Sequence, residues 1–180
     1  GTASLRRKAM LLHKRPDLEV VPLRGNVDTR LEKVASGDVG ATFLALAGLN
    51  RLGRDDVPAW AVPVTEILPA VCQGIIGIER REKDDEIAEL LKALNDFDAT
   101  IQAAGERALL EGLDGSCRTP IAAFGELCGN NFRIRAAIIR PDGSELLKAE
   151  RNGPISDAKV MGRDAAEELS GRASPGFFHE

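Results

Sequence analysis

Tyrosine is missing from the 180 residues, and tryptophan occurs once. Aromatic platforms on which single-stranded bases stack are therefore not expected. Positive charge is not in excess either. The 24 Lys and Arg face 28 Asp and Glu, a net charge of −4, which argues against nucleic acid as a partner. Cysteine is scarce: Cys72, Cys117 and Cys128 are odd in number and show no CxxC spacing. Neither a disulfide framework nor a zinc site is expected, and a reducing cytosol is the expected compartment. The two histidines, His13 and His179, are too far apart in sequence to suggest a metal site. No apolar run approaches a membrane span, and no signal-peptide pattern opens the chain.

What is present is an ordinary globular composition, 43% hydrophobic and 29% charged, enough for one large or two small cores. The chain opens Gly1-Thr2-Ala3-Ser4-Leu5-Arg6-Arg7. Small polar residues leading straight into a helical pattern suggest the end of a strand-to-helix turn whose strand is absent, so a fragment is expected. Ser4 can cap a helix to about residue 14. Residues 18–23 read as a strand, Gly25-Asn26 as a turn, and Val27, Leu31 and Val34 as the apolar face of a second helix. Residues 41–47 are almost continuously apolar, the pattern of a strand buried on both faces, and a short helix follows. This alternation predicts an α/β fold with a mostly parallel sheet. Residues 75–79 read as one more strand and 82–95 as an amphipathic helix.

Near residue 96 the character changes. A helix over 100–111, strands over 121–126, 132–139 and 145–151, and a helix over 157–169 predict a small α+β unit with a three-stranded antiparallel sheet. Pro141-Asp142-Gly143 is a strong hairpin signal between the last two strands. A domain boundary is therefore expected near residue 96, with an α/β anion-binding part before it and the α+β part after it.

Two features carry chemistry. Leu113-Asp114-Gly115-Ser116-Cys117-Arg118-Thr119-Pro120 sets a cysteine on a tight turn, exposed as a covalent attachment point would be; a free surface thiol is the plain alternative. Arginines Arg6, Arg7, Arg24, Arg30 and Arg51 fall near helix ends and turns. In open α/β sheets ligands bind at the carboxyl ends of the strands, where helix N-termini add free N–H groups. Ser4, Arg6, Arg24, Asn26 and Arg30 are expected at that edge, facing a strongly anionic ligand, because the planar guanidinium grips carboxylates with two bonds. The alternative is a solvated helix face. Residues 83–86 read as a helix start, Arg133 and Arg135 as the wet face of a sheet, Cys128 as an inert loop thiol and Cys72 as a packed small residue. No Ser/His/Asp set, GxGxxG or phosphate-loop lysine is present. A binding module and an enzyme are both open on these grounds.

Gly1 to Arg7, Leu23-Arg24-Gly25-Asn26-Val27-Asp28-Thr29-Arg30-Leu31, and Leu110 to Pro120 with Cys117 resemble the porphobilinogen deaminases, also called hydroxymethylbilane synthases. Gly48-Leu49, Arg51-Leu52-Gly53, Leu68-Pro69-Ala70 and Gln73-Gly74 match in the same order. The resemblance covers essentially the whole chain. It implies a three-domain transferase of which part of the second domain (1–68), a hinge and a returning strand and helix of the first (69–95), and the third domain (96–180) lie here, with a layout like periplasmic binding proteins. It implies that Cys117 carries a dipyrromethane cofactor through a thioether, and that four porphobilinogen units are joined head to tail, each losing ammonia, to give hydroxymethylbilane for haem and chlorophyll. Arg6, Arg7, Arg24, Arg30 and Arg51 would hold pyrrole carboxylates, with Thr2 and Ser4 adding hydrogen bonds. Cys72 stands where the family usually has Gly, Ala3 often corresponds to Ser, and Ser116 to Gly. The family's catalytic aspartate has no counterpart, so the chain alone is expected to be inactive, to pair with its missing N-terminal part, and to belong to a cytoplasmic monomer. Two rivals remain: a non-enzymatic anion-binding module, and an acyl-transfer enzyme using Cys117, which lacks a nearby histidine base.

Overall fold

The structure, a computed structural model, describes residues 1–115 and 119–178. The carboxyl-terminal part is built from partners close in sequence. β1 (Ile121–Cys128), β2 (Asn131–Ile139) and β3 (Leu146–Pro154) make an antiparallel sheet in the order β1-β2-β3. Cys128 pairs with Asn131 across a two-residue loop, and Gly129 there takes φ +63, a left-handed geometry such loops favour. The β2–β3 turn closes through Arg140 N–H to Glu145 O at 2.9 Å, and Asp142 Oδ1 accepts from Ser144 N–H at 2.9 Å.

Alternation decides the two faces of this sheet. Phe132, Ile134, Ala136 and Ile138 turn to α5 (Phe97–Gly112) and α6 (Ala158–Arg172), sealing the main core with Leu109, Ala165 and Leu169. A single 3-10 turn, Ile155–Asp157, leads into α6. α5 and α6 touch backbone to backbone at glycines. A Cβ on Gly162 would stand 2.2 Å from the Gly105 carbonyl oxygen.

The opposite face receives the amino-terminal part. α1 (Leu5–Lys14) buries Ala9 and Met10 against Ala122, Ala137 and Ile139, with Ile67, Leu68 and Leu146 around them. The β2–β3 turn presses on the same helix, where His13 Nδ1 lies 2.8 Å from Gly143 O. Ahead of α1, the extended segments before and after α2 (Val27–Ala35) lie alongside residues 1–3. Thr2 N–H donates to Val21 O at 2.9 Å, and Gly1 donates to Ala41 O at 2.8 Å.

The parallel sheet expected from the sequence is not formed: among the described residues, 18–23, 41–47 and 75–79 enter no ladder. These segments meet at most isolated bonds, and Pro22 has no N–H to give. Residues 46 and 47 belong instead to α3 (Leu46–Arg51), which starts after Ala45 without a side-chain cap bond. An Ala- and Leu-rich run suits a helix as well as a buried strand, and periodicity cannot separate the two. Ile76 and Ile78 are 82% and 55% exposed, the reverse of a strand covered on both faces. The helix expected over 82–95 is shorter, α4 (Asp85–Lys92), and its Ile87 and Leu90 face solvent. No described helix is long and apolar enough to cross a membrane.

Candidate functional site

Three of the expected residues are built into helix starts. Ser4 caps α1, its Oγ accepting the Arg7 N–H at 3.3 Å. The buried Thr2 Oγ1 accepts the Ser4 N–H at 3.2 Å and so fixes the cap. Asn26 caps α2 through Oδ1, which takes the N–H and the hydroxyl of Thr29 at 2.9 and 2.8 Å. Gly25, at φ +125, packs its Cα on Thr29 so closely that a Cβ would fall 2.8 Å from it. Two helix N-termini with satisfied caps thus head the α/β part, and each leaves partial positive charge at its mouth.

The arginines divide. Arg7 is half-buried, with its guanidinium carbon 5.7 Å from the centroid of the Phe43 ring. Its pKa is lowered by burial first and by the charge of Arg30 second, and no acid offsets either. Arg30 is steered by its own backbone, Nε donating to Gly25 O at 2.9 Å, which leaves the far end of its fork free. The two positive charges thus act on one another, and neither forms an ion pair among the described residues. Arg54 is different: Asp28 and Asp56, both at 2.9 Å, neutralise it.

Arg6 faces elsewhere. It is 6% exposed, donating to Leu68 O and, at 3.2 Å, to Gln73 Oε1. Burial and the nearby Arg7 bring its pKa down to about 10. Arg24 and Arg51 are exposed and form no ion pair among the described residues. The structure thus groups Thr2, Ser4, Arg7 and Arg30 with Asn26, turns Arg6 to the segment 68–73, and leaves Arg24 and Arg51 at the rim.

Cys117 and His179 lie outside the described residues. In sequence, α5 precedes residues 116–118 and β1 follows them. On the near sides, Gly115 N–H bonds Leu110 O at 3.0 Å, Ile121 N–H bonds Thr119 O at 2.8 Å, and Asp114 takes φ +48. Cys72 is half-buried with its thiol pushed up by burial, whereas Cys128 is exposed.

Sequence reasoning missed Glu106. It lies in the middle of α5, 5% exposed, and accepts the Gly125 N–H at 2.7 Å and the Cys72 N–H at 2.5 Å. A helical Glu in a charged stretch reads as solvated; only the chain's return to it, 34 residues away, reveals otherwise. Phe43 was hidden in an apolar run and Gln73 in a turn.

The arrangement can bind an elongated polyanion whose carboxylates enter between Arg7 and Arg30. Comparison with known proteins gives this chemistry a context. Residues 1–89 match the family model "Porphobilinogen deaminase, dipyromethane cofactor binding domain", and residues 100–171 match "Porphobilinogen deaminase, C-terminal domain". A porphobilinogen deaminase of Paracoccus denitrificans is 54% identical over 99% of this chain and 57% of its own length. That of Nitrobacter winogradskyi is 50% identical, covering 99% and 56%, and a chloroplastic one of Oryza sativa 48%, covering 99% and 51%. The chain spans little more than half the length of these relatives.

Proposed function

This chain belongs to the porphobilinogen deaminase family, and on that premise we propose that it forms the carboxylate-holding and cofactor-tethering part of a hydroxymethylbilane synthase. The whole protein joins four porphobilinogen units head to tail, with loss of one ammonia at each addition, and releases hydroxymethylbilane by hydrolysis. One observation carries the reading: the charge of Arg30 reaches the half-buried Arg7 and lowers its pKa, and neither guanidinium forms an ion pair among the described residues. A linear pyrrole chain presents an acetate and a propionate on every ring, which is the charge this pair lacks.

The residues fit a dipyrromethane. Cys117, in the sequence between α5 and β1, would hold it through a thioether. When bound, the group supplies the pyrrole terminus to which the first unit is joined. Arg7 and Arg30 grip its carboxylates, Arg24 and Arg51 meet those of the growing chain at the exposed rim, and Thr2 and Ser4 complete the edge. Arg6 contributes charge at the same helix start. Removing carboxylates from water in this way fixes their position and so aligns the rings for reaction. Neighbouring guanidiniums also favour the thiolate of Cys117 during attachment.

The division that suits this function is 1–68 for the carboxylate-holding part, with the layout of periplasmic binding proteins; 69–95 for a hinge and a segment returning to a first domain; and 96–180 for the part bearing Cys117. The unpaired segment 75–79, with Ile76 exposed, supports the view that its neighbours lie in another portion of the protein. We infer a cytoplasmic protein that acts on porphobilinogen as a monomer.

The test is the intact mass of the full-length protein beside its Cys117→Ser variant. A dipyrrole-sized excess on the first and none on the second is the expected outcome. No excess on either would favour a reversible anion-binding module instead.

A further inference from the structure

Segment 68–73 is held between two buried charges of opposite sign that do not meet. On one side Arg6 of α1 donates to Leu68 O and Gln73 Oε1, and the same Gln73 oxygen accepts the Ala70 N–H at 3.1 Å. On the other side the Glu106 carboxylate takes the Cys72 N–H with one oxygen and the Gly125 N–H with the other. The Ala123 N–H adds a bond to Pro69 O at 3.1 Å. Cys72 adopts φ +56 within this turn, a conformation a side chain accepts only when its surroundings hold it there.

We propose that Glu106 is a positioning residue. Its carboxylate clasps the 69–74 turn to β1 and α5, and so couples the arginine pair on the α1 side to the helix that leads into Cys117. The proposal rests on the function assigned above, in which those two places must serve one ligand. Its geometry is specific. A carboxylate offers two acceptor oxygens, and both are used on backbone donors that come from different parts of the chain. An amide of the same size has one acceptor, so Glu106→Gln satisfies one N–H and opposes the other with its own NH2 group. Gly125, the donor from β1, is held to glycine by its neighbour, since a Cβ there would lie 2.7 Å from the Phe132 ring.

The experiment is peptide-resolved amide exchange on the 180-residue chain and its Glu106→Gln variant, with and without citrate as a small tricarboxylate probe. In the unmutated chain the Cys72 amide, which belongs to no ladder, should exchange slowly, and citrate should slow exchange in α1 and, through the clasp, in 69–74 and α5. In the variant, exchange over 69–74 should rise about ten- to hundredfold, the effect of losing one bond to a charged acceptor. Citrate should still slow α1 but no longer α5. A Cys72 amide exchanging at unfolded rates in the unmutated chain overturns the clasp, whether or not the variant folds. So does a variant that exchanges faster equally in every element, or one in which α5 still responds to citrate. An unmutated chain that does not bind citrate overturns the assigned function instead.

Discussion

The charge of Arg30 reaches the half-buried Arg7 and lowers its pKa, and among the described residues neither guanidinium forms an ion pair with a carboxylate. The pair is a cost in the empty chain and an asset in the loaded one. Citrate should therefore raise the melting temperature of the chain through ordinary linkage between binding and folding. Arg7→Gln or Arg30→Gln should remove most of that rise and weaken citrate binding by about ten- to hundredfold, the worth of a charge-assisted contact. Arg7→Lys should recover little, because an ammonium neither forks nor stacks on Phe43 in the same way. Arg81→Gln, which alters a fully exposed side of the chain near Asp84, is the control and should change nothing. Calorimetric titration reads all four, and equal affinity across them would remove the pair from the site.

The pH dependence of Glu106 has a definite sign. Burial, the dominant cause, raises its pKa above the ordinary value of 4.5, against the pull of the Gly125 and Cys72 N–H groups. The folded chain therefore binds this proton more tightly than the unfolded chain. Stability from this residue falls as pH rises from the unfolded pKa through the folded one, and the penalty is fully present above it. Glu106→Gln has no such proton. Thermal unfolding of the two proteins should show the unmutated chain gaining on the variant as pH drops from 7 toward 4.5. A difference that stays constant over that range would mean that Glu106 titrates normally.

The carboxyl-terminal half was largely legible, and the reason is local. Each of β1, β2 and β3 finds its partner in the next strand along the chain, and Pro141-Asp142-Gly143 announces the turn between two of them. A strand is a pairwise object, however. Residues 75–79 carry a strand's composition but have no ladder partner among the described residues, so Ile76 and Ile78 stand in solvent. Arg6 shows a second limit. At a helix start it reads as an anion ligand like Arg7, one residue on, yet the 100° step between neighbours on a helix turns it toward Leu68 and Gln73. Glu106 shows a third, since its donors arrive from 34 residues before and 19 after it.

Two glycines of α6 should respond to alanine in opposite directions. At Gly162 the new methyl group would meet the Gly105 carbonyl oxygen at 2.2 Å and the Ala108 side chain at 3.1 Å. The atom in the way is helix backbone, so α5 and α6 must separate, and the loss should be about 1–3 kcal/mol or more. At Gly171 nothing lies within 4 Å, and alanine should stabilise by up to about 0.5–1 kcal/mol through helix propensity alone, less if the last turn frays. Urea unfolding of the two variants distinguishes these outcomes. A neutral Gly162→Ala would mean that the helices do not touch there.

Thiol chemistry gives a check on the 69–74 turn. The Cys72 thiol is pushed up, first by burial and then by the charge of Glu106, with Arg107 pulling in the opposite direction. Less thiolate and less access both slow its reaction. Cys128 sits exposed at the end of β1, beside the Gly129-Asn130 loop. Iodoacetamide at pH 8, followed peptide by peptide, should therefore modify Cys128 at least about tenfold faster than Cys72. In Glu106→Gln the gap should narrow from the Cys72 side, because the variant removes both the negative charge and the second acceptor that holds the turn closed. If Cys72 reacts as fast as Cys128 in the unmutated chain, the turn is open in solution and the clasp at Glu106 is not formed.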